Sequence, residues 1–170
     1  MEVIVRPAGA ADIGPIHRII LAAFRKYADV LGLDGQVSAL RETEADIAKE
    51  IETKTVLVAE RDGEIVGSVR YEMITNDVAY LTRFSVDPNV HNSGIGKLLL
   101  AAVNEYAARQ GAKAVALHTA SKMTPLVRMY YGMGYYIKST SEDRGYIRAL
   151  FLKELTEDDA LPDLSVLANH

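Results

Sequence analysis

The sequence predicts an α/β (α+β) chain built on a mixed, mostly antiparallel central sheet of about seven strands flanked by about four helices. Three observations predict it. β-rich runs and amphipathic runs interleave along the whole chain. The Asp62-Gly63 and Thr75-Asn76-Asp77 turns join three successive β-rich runs into hairpins. After the apolar run Ala79 to Val86, residues Ile95, Leu98, Leu99, Ala102, Val103 and Tyr106 recur at the i, i+3, i+4 spacing of a helix.

Taken in order, Glu2 to Arg6 reads as a short strand that Pro7 ends. Ala11-Asp12 can cap a helix whose apolar face includes Ile13, Ile16, Ile19, Ile20, Ala23 and Phe24. Lys26 to Ser38 carries Gly32 and Gly35 and is expected to be irregular. A second helix is expected from about Thr43 to Glu52, because Thr43-Glu44-Ala45-Asp46 has capping-box spacing. Strands over Thr55 to Glu60, Glu64 to Glu72 and Val78 to Val86 lead to the third helix, which Gly111 ends. Lys113 to Thr119 is a further strand and Pro125 to Gly132 a short helix. Tyr135 to Ser139 and Tyr146 to Lys153 are the last two strands.

At 170 residues the chain is the size of one domain, expected over 1–155, with a C-terminal tail at 156–170. The tail turns from acidic to apolar through Leu161, Leu164, Val166 and Leu167, and reads as a loose terminus or a segment that docks on a neighbouring subunit. The chain has no cysteine, which excludes disulfides, a thiolate nucleophile and cysteine-based zinc sites. Its four histidines are scattered, so no metal is expected. The net charge of −4, with no run of Lys and Arg, argues against nucleic acid as a partner. No apolar run reaches membrane-spanning length and no signal-peptide layout opens the chain, so a cytoplasmic protein with no membrane partner is expected.

The most informative stretch is His91-Asn92-Ser93-Gly94-Ile95-Gly96-Lys97, a glycine-bearing turn between a strand and a helix. At a helix start the first N–H groups have no intrahelical acceptor and the helix dipole favours an anion. A P-loop is excluded, because His91 stands where it needs its first glycine and Leu98 where it needs a hydroxyl. A dinucleotide fingerprint is excluded by Leu99 at its third glycine. Two readings remain on spacing alone, a pyrophosphate cradle and a tight turn with no ligand.

Val86-Asp87-Pro88-Asn89-Val90-His91-Asn92-Ser93-Gly94-Ile95-Gly96-Lys97-Leu98-Leu99-Leu100 resembles the acyl-CoA-binding motif of the GNAT superfamily of N-acetyltransferases. Downstream, Met129-Tyr130-Tyr131-Gly132-Met133-Gly134-Tyr135 is similar to that family's second signature. With the element order, the resemblance covers about residues 2 to 153. It implies an acetyl-CoA-dependent N-acetyltransferase in which an amine attacks the thioester directly, with acetyl-CoA as cosubstrate and no metal. The acceptor would be a small-molecule or peptide amine, and a homodimer is a family-level expectation. A non-catalytic acyl-CoA-binding or regulatory domain is the competing reading.

Residue by residue, the resemblance implies that the main chain of Phe84, Ser85 and Val86 binds the pantetheine arm and the acyl carbonyl. The diphosphate would fall to His91, Asn92, Ser93, Gly94, Ile95, Gly96 and Lys97. His91 replaces the family's usual Gln or Arg. Tyr130 would be the general acid that returns a proton to the leaving thiolate, with Tyr131 as the fallback. Thr82 stands where many relatives carry a glutamate base, which leaves Glu72 and His118 as base candidates. Met123 stands where an asparagine often contacts the cofactor. Acceptor recognition would fall to about Phe24 to Arg41, where Phe24, Tyr27, Leu31 and Leu33 could line a pocket and Asp29 or Asp34 could hold a cation.

Overall fold

A computed structural model describes residues 2–33, 37–90, 94–157, 163–167 and 170. Its elements are β1 (Val3–Pro7), α1 (Ile13–Leu31), α2 (Glu44–Thr53), β2 (Thr55–Arg61), β3 (Glu64–Ile74), β4 (Val78–Val86) and α3 (Ile95–Arg109). They are followed by β5 (Ala114–Ala120), α4 (Thr124–Gly132), β6 (Tyr136–Ser141) and β7 (Arg148–Glu154). The seven strands form one sheet in the order β1-β2-β3-β4-β5-β7-β6. β4 and β5 pair in parallel, whereas β1 with β2, β2 with β3, β5 with β7 and β6 with β7 are antiparallel. The mixed, mostly antiparallel sheet and its four helices are those expected from the sequence.

The chain divides into two compact units, the first comprising Met1–Tyr71 with Arg83–Val103. Here α1 runs through Leu31, well into the segment from Lys26 to Ser38 expected to be irregular. Ala28 continues the apolar stripe and is buried, and Gly32 then ends the helix at φ +67, a left-handed cap that glycine adopts without strain. Asp12 does not cap α1 with its side chain. It accepts two bonds from the Arg6 guanidinium, at 2.8 and 3.0 Å, and one from the Gly9 N–H at 2.7 Å. The capping box of α2 forms as expected, with the Asp46 N–H on Thr43 Oγ1 at 3.1 Å and the Thr43 N–H on Asp46 Oδ2 at 2.9 Å.

Six consecutive residues of β3, Val66 to Tyr71, are buried, so both faces of this strand are covered. Alternation assigns the faces. A Cβ added at Gly67 would lie 2.9 Å from Leu99 Cδ1 and 3.1 Å from Ile95 Cγ2, which places α3 on the Gly67 face. Arg70, on the opposite face, reaches Glu42 and Glu50, which places α2 and the preceding turn there. The Ser85 carbonyl is also 3.2 Å from that added Cβ, so the contact has no room to give. Gly67→Ala is therefore expected to destabilise the protein by about 1–3 kcal/mol through overpacking, read as a lower denaturant midpoint at constant m. An unchanged midpoint would show that α3 shifts without cost.

The second unit comprises Glu72–Thr82 with Asn104–His170. Its β4–β5 pairing covers Val78 to Leu81 against Ala114 to Leu117. One face of this part of the sheet presents Val78, Tyr80, Ala114, Ala116, Leu150 and Leu152, and Leu167 is buried among them with Leu164 and Val166 packed alongside. The end of the chain is thus seated on its own sheet, unlike the loose or intersubunit segment expected. The other face carries Phe151, on which the rings of Tyr130 and Tyr131 from α4 rest at centroid distances of 5.3 and 5.8 Å. β6 lies at the edge, mostly exposed, and its register against β7 shifts between Ile137 and Ser139.

Candidate active site

His91, Asn92 and Ser93 lie outside the described residues; Gly94, Ile95, Gly96 and Lys97 lie within them. Gly94 has φ +72, and a Cβ built on it would meet nothing within 4 Å. Glycine is required here by the left-handed backbone, which an L side chain adopts at a cost of roughly 1–2 kcal/mol, rather than by crowding within the chain. The Gly94 carbonyl accepts the Leu98 N–H at 3.1 Å, so it opens the first turn of α3. The N–H groups of Ile95, Gly96 and Lys97 precede that first intrahelical bond and form the positive end of the helix dipole. Ile95 and Leu99, both fully buried, anchor this turn over Gly67. Upstream, the Asp87 N–H bonds to the Val66 carbonyl at 2.9 Å, and the Asp87 carboxylate accepts the Asn89 N–H at 2.9 Å.

Within β4, Arg83 adopts φ +53, a left-handed conformation unusual for a non-glycine residue inside a strand. The irregularity directly precedes Phe84, Ser85 and Val86. Ser85 is buried and donates its hydroxyl to the Arg83 carbonyl at 3.2 Å, while Phe84 and Val86 are half-buried. Below Arg83 lies an ion-pair network the sequence reading did not anticipate. Arg70, with its side chain 0% exposed, binds both carboxylate oxygens of Glu42, one of them at 2.8 Å. Arg83 Nε stands 3.6 Å from Glu42 Oε2, and burial pushes the Arg83 guanidinium below its ordinary pKa. His17 Nε2 donates to the Glu42 carbonyl at 3.0 Å, tying α1 to this turn.

In the second unit, Tyr130 is buried, with its ring 5.8 Å from that of Tyr135. Tyr135 gives its hydroxyl to Asn104 Oδ1 at 3.1 Å, and burial raises its pKa, which removes it as a proton donor to a ligand. Tyr131 is 51% exposed. Gly134 has φ +90 and closes the helix end, where the Tyr135 N–H reaches the Tyr130 carbonyl at 3.0 Å. The glycine of the second signature therefore serves the fold. Met123 precedes the first turn of α4 and supplies no side-chain cap bond.

The two base candidates share one cluster. His118 Nδ1 and the Tyr80 hydroxyl are hydrogen-bonded at 2.5 Å, and the Tyr80 ring also lies edge-on to His170 at 5.0 Å. Glu72 Oε1 is 4.0 Å from His170 Nε2. Burial, reinforced by the Arg148 and Arg144 guanidiniums, pushes His118 down to about 4, and burial pushes the Tyr80 phenol up to about 12. His118 is thus neutral at pH 7, with one ring nitrogen already engaged. Arg144 and Arg148 also donate to the main-chain oxygen of His170, at 3.0 and 2.8 Å, holding the tail on this cluster.

Among the acceptor-side candidates, Leu33 is buried and the Phe24 and Tyr27 rings stand 5.8 Å apart, as helix packing requires. Asp29 is exposed, and Asp34 lies outside the described residues. Among the described residues, no cluster of His, Cys, Asp and Glu could hold a metal ion, and no helix is long and apolar enough to cross a membrane.

Among solved structures, the fold is similar to that of the PaiA N-acetyltransferase from Thermoplasma acidophilum in complex with coenzyme A. The TM-score is 0.79 at 19% identity, over 91% of this chain and 99% of that one. The ribosomal-protein-S18-alanine N-acetyltransferase from Escherichia coli matches with a TM-score of 0.73 at 13% identity, over 95% of this chain and 100% of that one. In sequence, the chain is 25% identical over 147 residues to "Uncharacterized N-acetyltransferase YhfO" of Bacillus subtilis (strain 168), covering 84% of this chain and 90% of that protein. A sequence profile of the Acetyltransferase (GNAT) family matches residues 21–135, which hold the glycine turn, the β4 irregularity and the Tyr130 signature. The chain belongs to the GNAT family of acetyltransferases.

Proposed function

We propose that the protein transfers an acetyl group from acetyl-CoA to a primary amine by direct attack, with no covalent enzyme intermediate. One observation carries the reading: Gly94, held at φ +72, opens a helix whose first amides have no intrahelical acceptor, and this helix is the next element after the strand with the irregular backbone at Arg83. A diphosphate fits the first feature, because open amides and the helix dipole both favour an anion. An extended arm with amide groups fits the second, because the main chain of Phe84, Ser85 and Val86 offers donors and acceptors along a strand. The cysteine-free sequence supports direct attack. The Thermoplasma acidophilum neighbour was solved with coenzyme A, and the Salmonella typhimurium neighbour yncA with acetyl-CoA as its cofactor.

Acetyl-CoA supplies the reactive thioester. Tyr130 acts as the acid that protonates the departing thiolate, its ring held by Phe151 and Tyr135. Of the two base candidates, Glu72 is favoured. His118 is committed to Tyr80, and with a pKa near 4 it has little affinity for a proton at neutral pH.

The test is release of free thiol from acetyl-CoA in the presence of a panel of primary amines, alongside calorimetric titration of the cofactor. Thiol release that tracks an acetylated amine is the expected result. Cofactor binding without thiol release for any acceptor would assign the protein to the acyl-CoA-binding modules instead.

A further inference from the structure

The proposed reaction leaves the acceptor open, and the first unit carries a feature that narrows it. A groove of about 380 Å³ is lined by Arg41, Glu42, Asp46, Lys49, Glu50 and Arg83, among others. This is the lower end of the size range of small-molecule sites. Asp46, Lys49, Glu50 and Thr53 line it from one face of α2, and Glu42 lines it with its carboxylate held by the buried Arg70. Arg83, the residue immediately before the Phe84 to Val86 segment, also lines it.

The groove's carboxylates are already matched inside the protein. Glu42 takes both nitrogens of Arg70; Glu50 takes Lys54 at 3.1 Å and stands 3.5 Å from Arg70; Asp46 is held by the Thr43 N–H in the capping box. The lining carries three cations, Arg41, Lys49 and Arg83, and three carboxylates, Glu42, Asp46 and Glu50. Two of those carboxylates, Glu42 and Glu50, already hold a cation from outside the lining, Arg70 and Lys54.

Arg83 is the side chain with most to gain from an anion. Its guanidinium is only 27% exposed, and its Nε is buried without a hydrogen-bond acceptor, because 3.6 Å to Glu42 is too long for one. A buried donor left unmatched is costly, and a guanidinium more so. Its left-handed backbone re-aims it out of the regular alternation of β4, the kind of local strain that concentrates at functional sites.

We infer that this groove is the acceptor site and selects a small primary amine that also bears an anionic group, a carboxylate or a phosphate, which Arg83 pairs while the amine faces the Phe84 to Val86 segment. The inference rests on the proposed acetyltransferase reaction for the identity of the bound molecule as an acceptor.

The experiment compares matched amines: an amino acid with its carboxamide, an aminoalkyl phosphate with the corresponding amino alcohol, and a diamine. Calorimetry reads their binding directly, and thiol release reads kcat and KM at saturating acetyl-CoA. At least a tenfold preference in Kd and in kcat/KM for an anionic member over its neutral partner is expected, and whichever anionic amine wins identifies carboxylate or phosphate. Arg83→Gln is expected to raise KM and Kd for the anionic member about tenfold or more and to change the neutral partner less than threefold; Arg83→Lys should restore part of the gap. Lys49→Glu, on an exposed position of α2, should narrow the same gap severalfold and keeps the test available if substitution at Arg83 impairs folding. Equal binding of the matched pairs, preference for the diamine, or an Arg83→Gln loss shared equally by both members would overturn the inference. If acetyl-CoA itself fails to bind, the proposed reaction falls, and the amine-binding comparison still decides whether the groove holds an anion.

Discussion

Glu42→Ala is expected to lower the unfolding free energy by about 3–5 kcal/mol, the range found when one partner of a buried ion pair is removed. The loss comes less from the missing attraction than from what remains. Arg70 would stay fully buried on β3 without its bidentate partner, Arg83 would lose its nearest carboxylate, and the partly exposed Glu50, 3.5 Å away, compensates Arg70 less well. Replacing both partners by apolar residues, as in Arg70→Met with Glu42→Leu, should cost far less, because no charge is then left in the core. Equilibrium denaturation of the single and double variants checks this. A single-variant loss below about 1 kcal/mol would mean that water reaches the pair and screens it.

The second large effect is on chemistry rather than stability. Tyr130→Phe is expected to lower kcat by about 10²–10⁴-fold, the usual contribution of a positioned proton donor, while the Kd for acetyl-CoA stays within about twofold. Phenylalanine keeps the ring that packs on Phe151 and Tyr135. Steady-state kinetics together with calorimetric titration separate the two roles. If kcat is unchanged, the acid passes to the exposed Tyr131 or to solvent, and the Tyr131→Phe variant then discriminates.

The sequence made the local features of this fold legible and concealed the long-range ones. Asp62-Gly63, Gly94, Gly111 and Gly134 were readable because few residue types tolerate the positive φ that each turn or helix end needs. Thr43 and Asp46 were readable because a capping box closes over three residues. The end of α1 was misplaced, since both Gly32 and Gly35 could stop a helix and the stripe through Ala28 is too sparse to arbitrate. The Glu42–Arg70–Arg83 network was invisible because its members lie on a turn and two strands, and their meeting depends on which face of β3 each residue takes. Tyr80, which occupies His118, was hidden for the same reason. Leu164, Val166 and Leu167 announced an apolar surface to bury, but not that the chain's own sheet would receive it.

The shifted register of β6 has a consequence for how copies of this protein behave beside one another. An outermost strand offers a row of unpaired amides and carbonyls on which a second sheet can grow, and a long flat one invites aggregation. β6 is short and mostly exposed, it kinks between Ile137 and Ser139, and Lys138 sits at the irregularity. At the opposite edge, β1 is only five residues long and ends in Pro7, which has no amide hydrogen to donate. Both rims of the sheet are thus poor templates, and the protein can crowd in solution without extending its sheet from one molecule to the next.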